Sequence, residues 1–110
     1  MPGRPPLVGH YELLEDFVTE GASVRVIALD MPGEAVGLHI HEHSAQIYLA
    51  LEGEVIVRCG DVEKRLRPYE SLAVPRGVAH AVRPAGDVAV IANISTPPLD
   101  AADQVPVLDA

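Results

Sequence analysis

The chain has no tryptophan, one phenylalanine (Phe17) and three tyrosines (Tyr11, Tyr48 and Tyr69), which is too few aromatic faces for the stacking platforms that hold single-stranded nucleic acid. Basic residues are scarce too. Eight Lys plus Arg stand against sixteen Asp plus Glu, a formal charge of −8, and this argues against nucleic acid or an anionic membrane as partner. A single cysteine, Cys59, leaves no internal disulfide, so a reducing cytoplasm is the expected compartment. No apolar run approaches the ~18 residues that span a bilayer. The opening Met1-Pro2-Gly3-Arg4-Pro5-Pro6 also lacks the apolar stretch of a secretory leader, so a soluble, unprocessed chain is expected. Helix-period apolar patterns are missing as well.

What remains is strand-like. Between residues 7 and 95, short β-branched or alternating segments are divided by Gly, Pro and Asp, the pattern of an all-β sandwich or barrel. Strands are expected near 8–17, 23–30, 35–41, 45–52, 54–59, 62–67, 70–75, 79–84 and 88–95, with ends good to ~2–4 residues; that many short strands suggest a jelly roll. A chain of 110 residues closes one core, so a single domain is expected over 7–96. A flexible segment, 1–6, precedes it and a Pro-rich tail, 97–110, follows; Val105, Val107 and Leu108 of the tail offer apolar material to dock on the barrel or on a second subunit. One hairpin is well marked. Val55–Cys59 and Val62–Leu66 flank Gly60-Asp61, and glycine at the first central position suits a type II′ turn. In its second arm Val62, Lys64 and Leu66 share one face, while Glu63, Arg65 and Arg67 share the other, which is assigned to solvent.

The chemistry-bearing residues are histidines. His39, His41 and His43 alternate in Gly37-Leu38-His39-Ile40-His41-Glu42-His43, and His80 closes Val74-Pro75-Arg76-Gly77-Val78-Ala79-His80. In a strand, positions i and i+2 point to one face, so His39 and His41 can present two imidazoles side by side, and a third can join from a neighbouring strand. Neutral imidazole is the commonest protein ligand for divalent transition metals. His41-Glu42-His43-Ser44-Ala45 is not the zinc-protease helix motif, since Ala45 stands where the second histidine is required. A strand-Gly-Ser-Gly elbow, a nucleophilic cysteine signature and a Gly-rich phosphate loop are all absent. His10 has no partner in the pattern. Any catalysis here is therefore metal chemistry.

Two spacings are informative together. Gly33 is followed after five residues by His39, then after one by His41, after four by Gln46 and after six by Gly53; later, Pro75 is followed after one residue by Gly77 and after two by His80. Over residues 33 to 80 this resembles the cupin superfamily. The resemblance implies a small conical β-barrel with one divalent transition-metal ion inside, Mn, Fe, Ni or Zn. Its ligands are two histidines and a carboxylate from the first motif and a histidine from the second, here His39, His41, Gln46 and His80. Gly53 would serve a tight turn, and Pro75 with Gly77 would shape the turn that aims His80 inward.

The chain departs from the family pattern in three ways: Gln46 replaces the usual carboxylate, Tyr69-Glu70 a common Gly-Asp, and Pro84 an Asn. The amide is neutral, so the ion keeps its full charge. Such a site favours anionic ligands, acidifies bound water and holds its metal less tightly than a glutamate site. Tyr48, two residues after Gln46, is expected on the same interior face, as a proton donor, a substrate contact or a satisfied core hydroxyl. His43 is read as a residue of the pocket mouth, and Arg25 and Arg58 as arginines able to reach a substrate carboxylate.

The leading expectation is a small metalloenzyme whose ion acts as Lewis acid on a sugar acid or other small organic acid, in isomerisation, ring opening or lyase chemistry. Some small bacterial cupins with histidine, histidine, glutamine and histidine ligands resemble this chain and are associated with uronate breakdown. The alternatives are an Fe(II) dioxygenase and a non-catalytic ligand-binding or sensory barrel. Resemblance to single-domain cupins further implies a homodimer.

Overall fold

Burial alternates strictly along Ser23–Leu29, where Ser23, Arg25, Ile27 and Leu29 turn inward, and along Ala45–Glu52, where Gln46, Tyr48 and Ala50 do so. A two-residue period is what a strand covering a core on one face requires. The computed structural model describes residues 12–29, 36–100, 103 and 105–106. In them run β1 (Glu12–Val18), β2 (Ser23–Leu29), β3 (Val36–Ile40), β4 (Ala45–Glu52), β5 (Val55–Cys59), β6 (Val62–Leu66), β7 (Ser71–Val74), β8 (His80–Pro84), β9 (Ala89–Thr96) and β10 (Val105–Pro106). The first nine lie where alternation predicts them, and β10 is an addition from the tail. His10, Gly33, Val107 and Leu108 lie outside the described residues. No helix among the described residues is long and apolar enough to cross a membrane.

The strands form two antiparallel sheets, in the orders β1-β2-β9-β4-β7 and β10-β3-β8-β5-β6. Strands far apart in sequence are neighbours, as in β2 with β9 and β3 with β8, so the chain passes repeatedly between the sheets. This is the jelly roll that the strand spacing suggests. Apolar side chains, Ile27, Leu29, Val55, Val57, Leu66 and Ile91 among them, fill the interior at one end. Polar residues gather in the rungs at the other. In the first sheet the registers align Ser23, Ser95 and Gln46 in one rung and Arg25, Asn93 and Tyr48 in the next. In the second sheet they align His39, His80 and Cys59.

Local turn chemistry follows the sequence. Gly60 has φ 61°, and Cys59 pairs with Val62 across it, as a type II′ hairpin requires. Leu66 is buried, while Glu63 and Arg65 lie on the outer surface in ion pairs with Arg83 (2.6 Å) and Glu54 (2.9 Å). Val62 shares the inward side of Leu66 yet is 66% exposed, because β6 is a sheet edge. Gly53 has φ 67°, and a Cβ there would sit 2.5 Å from the Val88 carbonyl oxygen.

Candidate metal centre

β3 delivers the first pair of histidines. Its register against β8 slips between Val36 and His39, a bulge of the kind that re-aims side chains beside functional sites. From there His39 lies directly opposite His80 on β8, and His41 follows just past the strand end. All three are buried. Ring centroids are separated by 4.2 Å (His39 to His80), 4.7 Å (His39 to His41) and 5.1 Å (His41 to His80), and one ligand nitrogen from each lies within 4.8 Å of the others. The turn before His80 is tied to both flanks: Gly77 N–H donates to the His41 carbonyl (2.8 Å) and Gly60 N–H to the Ala79 carbonyl (2.8 Å).

Hydrogen bonds select which nitrogen each ring offers. His41 Nδ1 lies 2.8 Å from the Asp103 carbonyl oxygen and His80 Nδ1 lies 3.0 Å from that of Val78. A carbonyl only accepts, so His41 Nδ1 carries the proton and its Nε2 keeps a lone pair, whereas His80 has an oxygen acceptor at each nitrogen. His41 Nε2 is buried without a hydrogen-bond partner. That is the state of a metal ligand whose other nitrogen is anchored on the backbone. Burial holds both rings neutral: His80 is lowered to about 3 by desolvation, with His39 and His41 adding charge repulsion, and His41 is lowered by desolvation against the opposing pull of Asp103.

Gln46 completes the set from the opposite sheet. Its Nε2 donates to Ser95 Oγ (3.0 Å), its Oε1 accepts from Tyr48 OH (3.0 Å), and that same Oε1 lies 2.9 Å from His80 Nε2. The His80 Nε2 and the Gln46 oxygen thus stand side by side as two atoms able to ligate a metal. The donor set, three neutral imidazoles and an amide oxygen, fits a divalent transition metal.

The structure therefore brings His39, His41, Gln46 and His80 together. Tyr48 lies beside them, with its hydroxyl proton engaged in aiming Gln46. Arg25 faces the interior one rung away, its Nε 3.6 Å from Asp16 Oδ1. Arg58 is not brought to the site: it alternates with the inward Val57 and its Nε donates to the Gly60 carbonyl (3.3 Å) on the other face. His43 is exposed and lines a separate pocket of about 310 Å³ with Ser44, Pro97, Pro98, Asp100 and Asp103. Strand alternation fails for it because β3 ends at Ile40. Two residues escaped the sequence reading. Asn93, whose buried Oδ1 has no hydrogen-bond partner, was hidden because its facing depends on register with β2 and β4. Asp103 was hidden because a lone aspartate in a Pro-rich segment carries no pattern.

The family profile described as Cupin domain matches residues 26–95. A solved structure, TT1209 from Thermus thermophilus, is 34% identical, with a TM-score of 0.74 over 82% of this chain and 86% of that one. The tetracenomycin polyketide synthase protein TcmJ of Streptomyces glaucescens is 39% identical over 57 residues, 52% of this chain and 38% of that protein. The DMSP lyase DddQ from Ruegeria pomeroyi, at 18% identity and a TM-score of 0.69 over 79% of this chain and 47% of that one, shares the fold alone. This chain spans less than half the length of the curated relatives it matches.

Proposed function

Since the chain belongs to the cupin domain family, we propose that it is a metal-dependent enzyme acting on a small organic acid bound inside the barrel. His39, His41, Gln46 and His80 would hold one divalent transition-metal ion. When bound, that ion would supply Lewis acidity toward a carboxylate or carbonyl oxygen.

The observation that carries this reading is the polar interior beside the histidines. Arg25, Asn93 and Tyr48 occupy one inward rung, and Ser23, Ser95 and Gln46 the next. A barrel interior used only for packing is apolar, because buried polar groups are costly unless they are satisfied. Asn93 Oδ1 is buried and lacks a partner, so it is placed to meet a ligand hydroxyl. Arg25, beside Asp16, brings a guanidinium into the same space, a group suited to orienting a carboxylate. Tyr48 and Ser95 fix the Gln46 amide from both ends, so that the neutral ligand stays aimed without a charge of its own. Neutral ligands leave the ion attractive to anions. In this reading the protein works in the reducing cytoplasm that its lone cysteine suits, takes an anionic small molecule as its partner, and engages neither nucleic acid nor membrane.

The test is elemental analysis of the purified protein, followed by anaerobic turnover assays with a panel of hydroxy, keto and sugar acids after loading with Mn(II), Fe(II), Ni(II) or Zn(II). Turnover that tolerates several of these ions and is lost in a folded His80→Ala variant is expected. Turnover confined to Fe(II) with oxygen would turn the reading into a dioxygenase, and tight acid binding with no turnover into a ligand-binding barrel. Gln46→Glu is expected to tighten metal binding and weaken acid binding; calorimetry showing neither change sinks the charge argument.

A further inference from the structure

Asp103 lies far beyond the histidine motif, 62 residues after His41, and is only 2% exposed. Its carboxylate accepts from three successive backbone amides: Oδ1 from Glu42 (2.7 Å) and His43 (3.0 Å), and Oδ2 from His43 (3.0 Å) and Ser44 (3.1 Å). Its own carbonyl takes the Nδ1 proton of His41 at 2.8 Å. Residues 41–44 connect β3 to β4 and belong to neither strand. The path between the ligands His41 and Gln46 is thus held from the segment after β9. Ser44 Oγ adds a bond to the Pro97 carbonyl (2.9 Å), and Val105 pairs with Ile40, next to both histidines of the first motif.

We propose that Asp103 is a positioning residue of the metal centre, whose side chain sets the loop between His41 and Gln46 while its carbonyl selects Nε2 of His41 as the ligand atom. This rests on the metal reading above. Which imidazole nitrogen carries the proton is decided by the hydrogen bond the other one lacks or makes. With an acceptor fixed at Nδ1, Nε2 is left bare toward His39 and His80. Without it the ring is free to protonate at Nε2, which removes the lone pair the ion needs. A carboxylate bonded to three amides also anchors the backbone more firmly than a neutral side chain would. It places a negative charge behind a set of ligands that has none.

The experiment compares the full-length wild type with Asp103→Ala and Asp103→Asn. Nitrogen-15 NMR of the metal-free proteins reads the imidazole tautomers, and Co(II) binding is followed by visible absorption. His80, whose Nδ1 is tied to Val78, serves as the internal control for an intact fold. The backbone carbonyl survives both substitutions, but the carboxylate bonds that hold it against His41 do not, so the expected result in Asp103→Ala is a His41 ring proton moving from Nδ1 to Nε2 with His80 unchanged, and a loss of Co(II) affinity of roughly 10- to 100-fold. Asp103→Asn keeps the side-chain volume but turns an amide donor toward backbone N–H groups, and is expected to lose affinity to a smaller extent; it carries the test if the alanine variant unfolds. A His41 tautomer that stays at Nδ1, or a changed tautomer with unchanged Co(II) affinity, overturns the proposal. A wild type that takes up no Co(II) removes the metal reading instead, and the tautomer spectra then still decide whether Asp103 governs His41.

Discussion

His80 is the residue on which burial and ligand chemistry meet. Desolvation, then repulsion from His39, lowers its pKa from the ordinary 6.5 to about 3. A group depressed in the folded state takes its proton first in the unfolded chain, so the linked stability is complete above about pH 6.5 and is lost progressively as pH falls toward 3. Between those limits His80 alone contributes a slope of up to about 1.4 kcal/mol per pH unit, and His41, lowered by burial, adds to it in the same direction. Urea unfolding of the metal-free protein is therefore expected to show midpoints that fall steadily from pH 6.5 to pH 4. A flat profile would mean that these rings are not buried and neutral. At this scale the candidate ligands were legible, since alternation pairs His39 with His41 and the resemblance to the cupin motifs implies Gln46 and His80. Their tautomers and the bond from Tyr48 to Gln46 were not, because they depend on partners from other strands.

Among the elements, the turns give the sharpest expectations. Gly53 combines φ 67° with a Cβ position 2.5 Å from a backbone oxygen, so neither conformation nor space admits a side chain. Gly53→Ala is expected to cost about 2 kcal/mol or more, read as a lower denaturation midpoint. Tyr69 is the opposite case. It occupies the left-handed position of the turn closed by Glu70 N–H on the Arg67 carbonyl, at φ 72° and 81% exposed. Removing its side chain loses little packing and relieves backbone strain, so Tyr69→Gly should stabilise by about 0.5 kcal/mol after the entropy of glycine is counted; a destabilised variant would show that the ring contributes packing after all. Strands β1 to β9 were readable because short β-branched or alternating segments are divided by Gly, Pro and Asp, with the alternation strict in β2 and β4. The two-residue β10 carries no alternation, and its Pro106 is tolerated only because β10 is a sheet edge.

For the whole molecule, the outer face of the first sheet is the feature with most consequence. Val24, Ile94, Ile47 and Ala73 form one rung there, and Val26, Ala92 and Leu49 the next. Within β2, β9, β4 and β7 these two rungs carry no charged residue, although the chain carries a net −8; on β1 the exposed Glu15 lies opposite Val26 and bounds them. Phe17, opposite Val24, extends the patch and is 47% exposed. Apolar patches of this continuity mark association surfaces, and a second copy of this chain is the occupant expected. Light scattering at micromolar concentration should give a dimer, and Ile94→Lys should weaken association by on the order of 100-fold. A wild-type monomer under the same conditions contradicts this.

The sequence by itself determined the strand order along the chain, the turns at Gly53 and Gly60 and the pairing of His39 with His41, because periodicity and glycine geometry act within a few residues; its resemblance to the cupin motifs added Gln46 and His80 as candidate ligands. Only the tertiary structure decided that Arg25 faces the interior while Arg58 faces out, that His43, already read as lying outside the ligand set, lines a separate pocket, and that Asp103 bonds to His41. Those outcomes depend on register between strands and on contacts such as the one spanning 62 residues from His41 to Asp103, for which no local pattern exists.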